Sequence, residues 1–149
     1  MNWSKDKSVL LSQACVAVFA ALLLALDIGC WHLARWYAAW RVSSPRNGVY
    51  LAATIWTCSV FGWITMLNLW RLLGNLRRGE VFVLSNVGHL RAVSWCCACV
   101  SIICLGCCSY YLPFICVAAA AGFMAMIVHV VKNVFQQACA MQSELDLTI

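Results

Sequence analysis

Charge is scarce in this chain. Charged residues make up 10% of its 149 residues, and its acids number only five. A soluble domain carries about 25% charged residues and about 45–50% apolar ones, whereas this chain is 64% hydrophobic. A soluble chain of this length leaves too much surface exposed to hide that much apolar matter. A water-soluble globule is therefore excluded, and a bilayer is the solvent that suits the composition. The familiar catalytic signatures are missing too. There is no H-E-x-x-H motif, no Gly-rich phosphate loop and no nucleophile elbow, and no pair of carboxylates stands ready for acid–base work. Neither an enzyme nor a cofactor is expected. The net charge of +5 bears on orientation and on anionic lipid head groups in such a chain, not on direct contact with nucleic acid.

What is present is four long apolar runs, at 9–31, 49–73, 92–112 and 113–134. Each holds about 21–25 residues, enough to cross about 30 Å of hydrocarbon as a helix. Helices are favoured because a lone strand leaves its backbone groups unpaired in lipid. The expected fold is all-α: one domain, residues 1–149, built as an integral membrane bundle of four transmembrane helices. The first run is longer than a signal-peptide core and lacks a clear small-x-small cleavage site, so it reads as a span. "LDIGC" at Leu26–Cys30 faintly resembles a lipoprotein cleavage box, but Asp27 sits where such a box takes a bulky apolar residue.

Lysine and arginine set the orientation. With the N-terminus inside, Lys5, Lys7, Arg71, Arg77, Arg78, Arg91 and Lys132 fall on the cytoplasmic side, against Arg35, Arg41 and Arg46 outside. That bias favours both termini in the cytoplasm and a multi-pass protein of the cell membrane. Trp36, Tyr37, Trp40 and Tyr50 suit the outer head-group level, with "SSPRNG" as the turn, broken by Pro45 and Gly48. Tyr110 and Tyr111 fit the short outer connector of an antiparallel hairpin, and Pro113 fits the start of the fourth helix.

Eleven cysteines are present, six of them in "CCACVSIICLGCC". On a helix at 100° per residue, Cys96, Cys97, Cys104, Cys107 and Cys108 share one stripe about 120° wide, with Cys99 apart. Small side chains let helices approach closely in lipid, and buried cysteine behaves as a small hydrophobe. Packing is the expected role. A metal or redox role for Cys97, Cys104 and Cys108 is the alternative, although finger-type spacing is missing.

Polar groups inside spans are costly and mark candidate sites. Gln13, Asn68 and His129 come from three different spans, each about 7–8 Å from the cytoplasmic end. They suggest an intramembrane polar layer that Ser94 can join. Hydrogen-bonded glue, worth about 0.6–2 kcal/mol per bond, is the expected role, with an ion or proton path as the alternative. Asp27 lies nearer the outer side, where His32 or Arg35 is the expected partner.

Residues 74–91 form a cytoplasmic elbow. Arg77 and Arg78 suit a helix C-terminus and lipid phosphates, Gly79 a left-handed cap, and "VFVL" the interface. Ser85 or Asn86 is expected to cap the third helix, and Arg91 returns to the head groups. The tail, 135–149, extends the fourth helix and then unwinds, with Glu144 and Asp146 near its end. It can remain solvated or dock on the basic elbow or on a soluble partner.

At these residues the chain resembles a bacterial integral membrane family known as domain of unknown function 2975. The family's G-x-x-F-x-x-x-N elbow and following Leu-Arg match Gly79, Phe82, Asn86, Leu90 and Arg91. Its E-x-D-L-T-[IV] ending matches Glu144, Asp146, Leu147, Thr148 and Ile149. Val83 and Ser85 depart from the usual Ser or Thr after the Phe and acid before the Asn. The resemblance implies four spans and a gene beside one for a small helix-turn-helix regulator. It makes Arg77, Arg78, Phe82, Asn86, Glu144, Asp146, Leu147 and Thr148 partner-binding candidates. The expected function is a regulatory or interaction protein acting with such a regulator. The alternative is a small transporter or a resistance factor against a membrane-active compound. Expected partners are membrane lipid and that regulator, with a second copy of the chain also open.

Overall fold

The computed structural model describes residues 3–40, 45–79, 83–109 and 111–146. Among them the chain is four helices with no strand: α1 (Trp3–Trp40), α2 (Pro45–Arg77), α3 (Leu84–Cys107) and α4 (Phe114–Asp146). All four are long and apolar enough to cross a membrane. The all-helical transmembrane architecture expected from the composition is the one observed. Large apolar side chains such as Leu22, Ile28, Ile102, Phe123 and Met126 remain exposed, as a lipid-facing surface requires.

The helices overrun the apolar runs. α1 has 38 residues, a length of roughly 57 Å against about 30 Å of hydrocarbon. A helix closes its own backbone hydrogen bonds, so it continues past the lipid until the chain offers a breaker. Pro45 opens α2 rather than breaking a loop, and Gly48 is a buried residue of its first turn. Proline suits that place because the first helical N–H has no partner to lose. α3 begins at Leu84, eight residues before the apolar run, and stops at Cys107. Its N-cap is Val83, in extended conformation and with no side-chain cap. The expected cap at Ser85 or Asn86 is therefore corrected: both lie inside the first turn, where the Asn86 N–H donates to the Val83 carbonyl at 2.9 Å. The Gly79 expectation agrees with the structure: it ends the α2 turn at φ 80°, its N–H donating to the Leu76 carbonyl at 3.1 Å.

Helices consecutive in sequence pack together, α3 against α4 most extensively. Among the described residues α1 and α4 make no close backbone contact. The α3–α4 pair is joined by two serines that each reach a carbonyl across the interface: Ser94 Oγ to Ala125 O at 3.0 Å and Ser101 Oγ to Ala118 O at 2.8 Å. Small residues make this possible. Ala118 and Ala125 are buried, and a Cβ on Gly122 would stand 3.0 Å from Ser101 Oγ. At the end of the bundle holding the α3–α4 connector, Cys30, Ala34, Leu51, Ala52, Cys104, Phe114 and Ala118 form one core. Tyr111 covers it, stacked edge-on against Tyr37 at 5.2 Å and Phe114 at 4.9 Å.

Gly122→Leu should lower the stability of the purified protein by about 1–3 kcal/mol through overpacking. Gly106 meets nothing within 4 Å of an added Cβ, so Gly106→Ala should leave stability unchanged or raise it by up to about 1 kcal/mol. Thermal unfolding in one detergent compares the two.

Candidate functional site

The contact between α2 and α3 is a heptad seam. On α2 the positions 54, 58, 61, 65, 68, 72 and 75 alternate steps of four and three, and on α3 so do 86, 90, 93, 97, 100, 104 and 107. Such spacing keeps one stripe facing a neighbour. Several of these positions carry polar atoms that pair across the interface. Thr54 Oγ1 lies 3.4 Å from Cys107 Sγ, and Cys58 Sγ lies 4.0 Å from Cys104 Sγ. Asn68 Oδ1 lies 2.8 Å from His89 Nδ1. An amide oxygen only accepts, so His89 donates from Nδ1. Asn75 Nδ2 donates to Asn86 Oδ1 at 2.8 Å.

Asn86 is 0% exposed. It thus anchors the start of α3 from inside the bundle rather than by capping. Its side chain ties the elbow to the last turns of α2. Arg77 and Arg78 remain exposed on the other side of that turn, where cations suit the helix end. Phe82 lies outside the described residues, as do Leu147 and Thr148. Asp146 is the last residue of α4, and Glu144, two residues before it, is exposed. Between elbow and tail runs a groove of about 510 Å³, with Val83 and Leu84 on one side and Gln136, Cys139, Ala140 and Ser143 on the other. Leu84 is 75% exposed.

The three residues of the expected polar layer are not hydrogen-bonded to one another. Asn68 is committed to His89 and, through Nδ2, to the Ile64 carbonyl at 2.8 Å. Gln13 is half-buried on α1 and His129 is exposed on α4, two helices without close contact. Ser94 bonds α4's backbone instead. The cysteine stripe divides in the same way. Cys104 is buried against Cys58 of α2, Cys108 Sγ turns back to the Cys104 carbonyl at 3.1 Å, and Cys97 is half-buried. Among the described residues no three His, Cys, Asp or Glu side chains are grouped to hold a metal ion.

Asp27 pairs with neither His32 nor Arg35. Its Oδ2 accepts a hydrogen bond from the Trp63 indole at 2.9 Å, and the Trp56 indole N–H reaches its backbone carbonyl at 3.5 Å. The correction follows from helix direction: His32 and Arg35 lie further along α1 itself, whereas α2 runs antiparallel beside Asp27 and presents its tryptophans there. Sequence reasoning also passed over Asn75, His89 and Cys58. The heptad spacing of 58, 68 and 75 was the signal available for the α2 members. His89 sits one place off the stripe and carried none.

The model of the family described as "Protein of unknown function (DUF2975)" matches residues 14–149. The chain matches no curated protein and no solved structure.

Removing the buried Asn86 amide leaves the Asn75 donor without its acceptor. Asn86→Ala should therefore cost about 1–3 kcal/mol, while exposed Ser85→Ala should stay within about 0.5 kcal/mol. Thermal melts of both variants check this, and equal midpoints would contradict the anchoring role.

Proposed function

Because the chain belongs to the DUF2975 family, we propose that it is a non-enzymatic regulatory protein of the bacterial cell membrane. In this reading both termini are cytoplasmic, and the cytoplasmic face holds a small helix-turn-helix regulator. One observation carries the proposal: the elbow and the tail, the two segments that bear the family's motifs, flank a single groove. Arg91 suits the head-group level, and Leu84 lies about 10 Å further out along α3. In this reading an exposed leucine stands beyond the hydrocarbon, beside the half-exposed Val83. Polar Gln136 and Ser143 rim the groove on the α4 side, and the exposed Arg77 and Arg78 stand on the elbow. An amphipathic helix of a partner suits such a groove, its apolar face on Leu84 and its polar edge on the rim.

Two measurements test the reading. A fluorescent-protein fusion at the C-terminus should be bright and an alkaline phosphatase fusion inactive; the reverse would place the tail outside. The regulator encoded beside the gene should co-purify with the wild-type chain. Removal of residues 144–149, Phe82→Ala, or Leu84→Asp should each reduce that capture and change expression of the regulator's targets. If all three variants retain both properties, the docking face is elsewhere.

A further inference from the structure

We propose that Asp27, held by Trp63, and the apolar cavity that Ser59 lines form an intramembrane binding site for a small hydrophobic amine in its protonated, ammonium form. Asp27 lies four residues, about 6 Å at 1.5 Å per residue, inside the nearer end of the apolar run 9–31. One carboxylate oxygen is held by Trp63, as described. The other, Oδ1, is buried with no hydrogen-bond partner, and so is the hydroxyl of Ser59. Ser59 is 6% exposed and stands one turn from Trp63 on α2, towards α1. Unsatisfied polar atoms in a bilayer are costly, a carboxylate most of all, unless something pairs with them. No cationic side chain among the described residues does so.

The cavity indicates the shape of what would. It has a volume of about 200 Å³, and Ser59 lines it beside Leu23, Leu26, Ile55, Phe114 and Val117. Leu26 is Asp27's neighbour in sequence and Leu23 lies one turn before it. A cavity of about 150 Å³ accommodates benzene, so a phenyl-sized tail fits here. Residues of α1 and α4 both line the space, and those helices make no close backbone contact, so access from the lipid between them separates no packed pair. The head group must supply positive charge to Asp27 and at least one N–H donor to its carboxylate, whose enclosed Oδ1 has to turn towards the cavity to accept it, while Ser59 stands on the cavity wall. A primary or secondary ammonium meets all of these needs. A quaternary ammonium has the charge but no N–H.

The full chain in lipid nanodiscs, titrated with 2-phenylethylammonium and followed by calorimetry and tryptophan fluorescence, tests the site. Saturable binding is expected, weaker by about tenfold or more in Asp27→Asn because a charge-assisted bond is lost. Ser59→Ala should weaken it by about threefold, the weight of one modest hydrogen bond, and Val117→Phe should block the tail while leaving the carboxylate in place. The N,N,N-trimethyl analogue should bind less tightly than the primary amine. Absence of saturable binding overturns the proposal, as does undiminished binding in Asp27→Asn or equal binding of the trimethyl analogue. If Asp27→Asn does not yield a monodisperse helical protein, Val117→Phe decides: unchanged affinity in that variant overturns the site.

Discussion

Hydrocarbon gives apolar helices no reason to leave it for one another. Lipid tails are as apolar as leucine, so association inside a membrane rests on close packing and on hydrogen bonds between helices. The rest of this structure depends on that constraint. It explains why five of the seven core residues, Cys30, Ala34, Ala52, Cys104 and Ala118, are small, while large side chains such as Leu22, Trp95 and Met126 face outward. In water the same exposed surface would drive aggregation; in lipid it is the solvated surface. The small residues do the joining because they bring backbones near enough for serine and cysteine side chains to reach across to a carbonyl or a partner side chain.

The joins are graded along α2 and α3. Near the α3–α4 connector they are weak thiol contacts, Thr54 with Cys107 and Cys58 with Cys104. Towards the elbow they become full amide and imidazole hydrogen bonds, Asn68 with His89 and Asn75 with Asn86. A hydrogen bond loses less to competing water the deeper it is buried, and Asn86 is wholly enclosed. The strongest polar tie therefore sits where the chain turns. It holds the first turn of α3 in place and with it the Val83–Leu84 side of the groove, while exposed Arg77 and Arg78 complete the same turn.

Much of the fold was legible because hydropathy is a property of composition. Four apolar runs of spanning length require four helices once lipid forbids unpaired backbone. Pro113 before α4, the α3–α4 hairpin and the left-handed Gly79 were legible from local chemistry in the same way. Helix ends were not, since apolarity reports where lipid stops rather than where the helix stops; α3 thus begins at Leu84 instead of at the apolar boundary. Which polar residues meet was least legible. Depth along the membrane grouped Gln13, Asn68 and His129, but depth says nothing about which face a residue occupies. Rotation about the axis decides the pairing, and it gives Asn68 to His89, Asp27 to Trp63 and Cys104 to Cys58. Asn86 was marked by its place in a motif, yet its role came from burial rather than from the helix start.

α2 connects the two regions for which a binding role is proposed. One face meets α1, where Trp63 holds Asp27, and the other meets α3, where Asn75 holds Asn86. Trp63 and Asn75 are 12 residues apart in numbering, about 18 Å along one continuous helix. Nothing in α2 breaks between them: it runs unbroken from Pro45 to Arg77. A helix of that length transmits rotation or translation rather than absorbing it, because its kinks need a proline, a bulge or an inserted group. A ligand at Asp27 that changed the setting of α2 would therefore act on the Asn75–Asn86 tie, and a partner in the elbow groove would act back on Asp27 by the same amount of free energy, since linkage between two binding sites is reciprocal. The Asp27–Trp63 and Asn75–Asn86 contacts are thus joined by one uninterrupted helix.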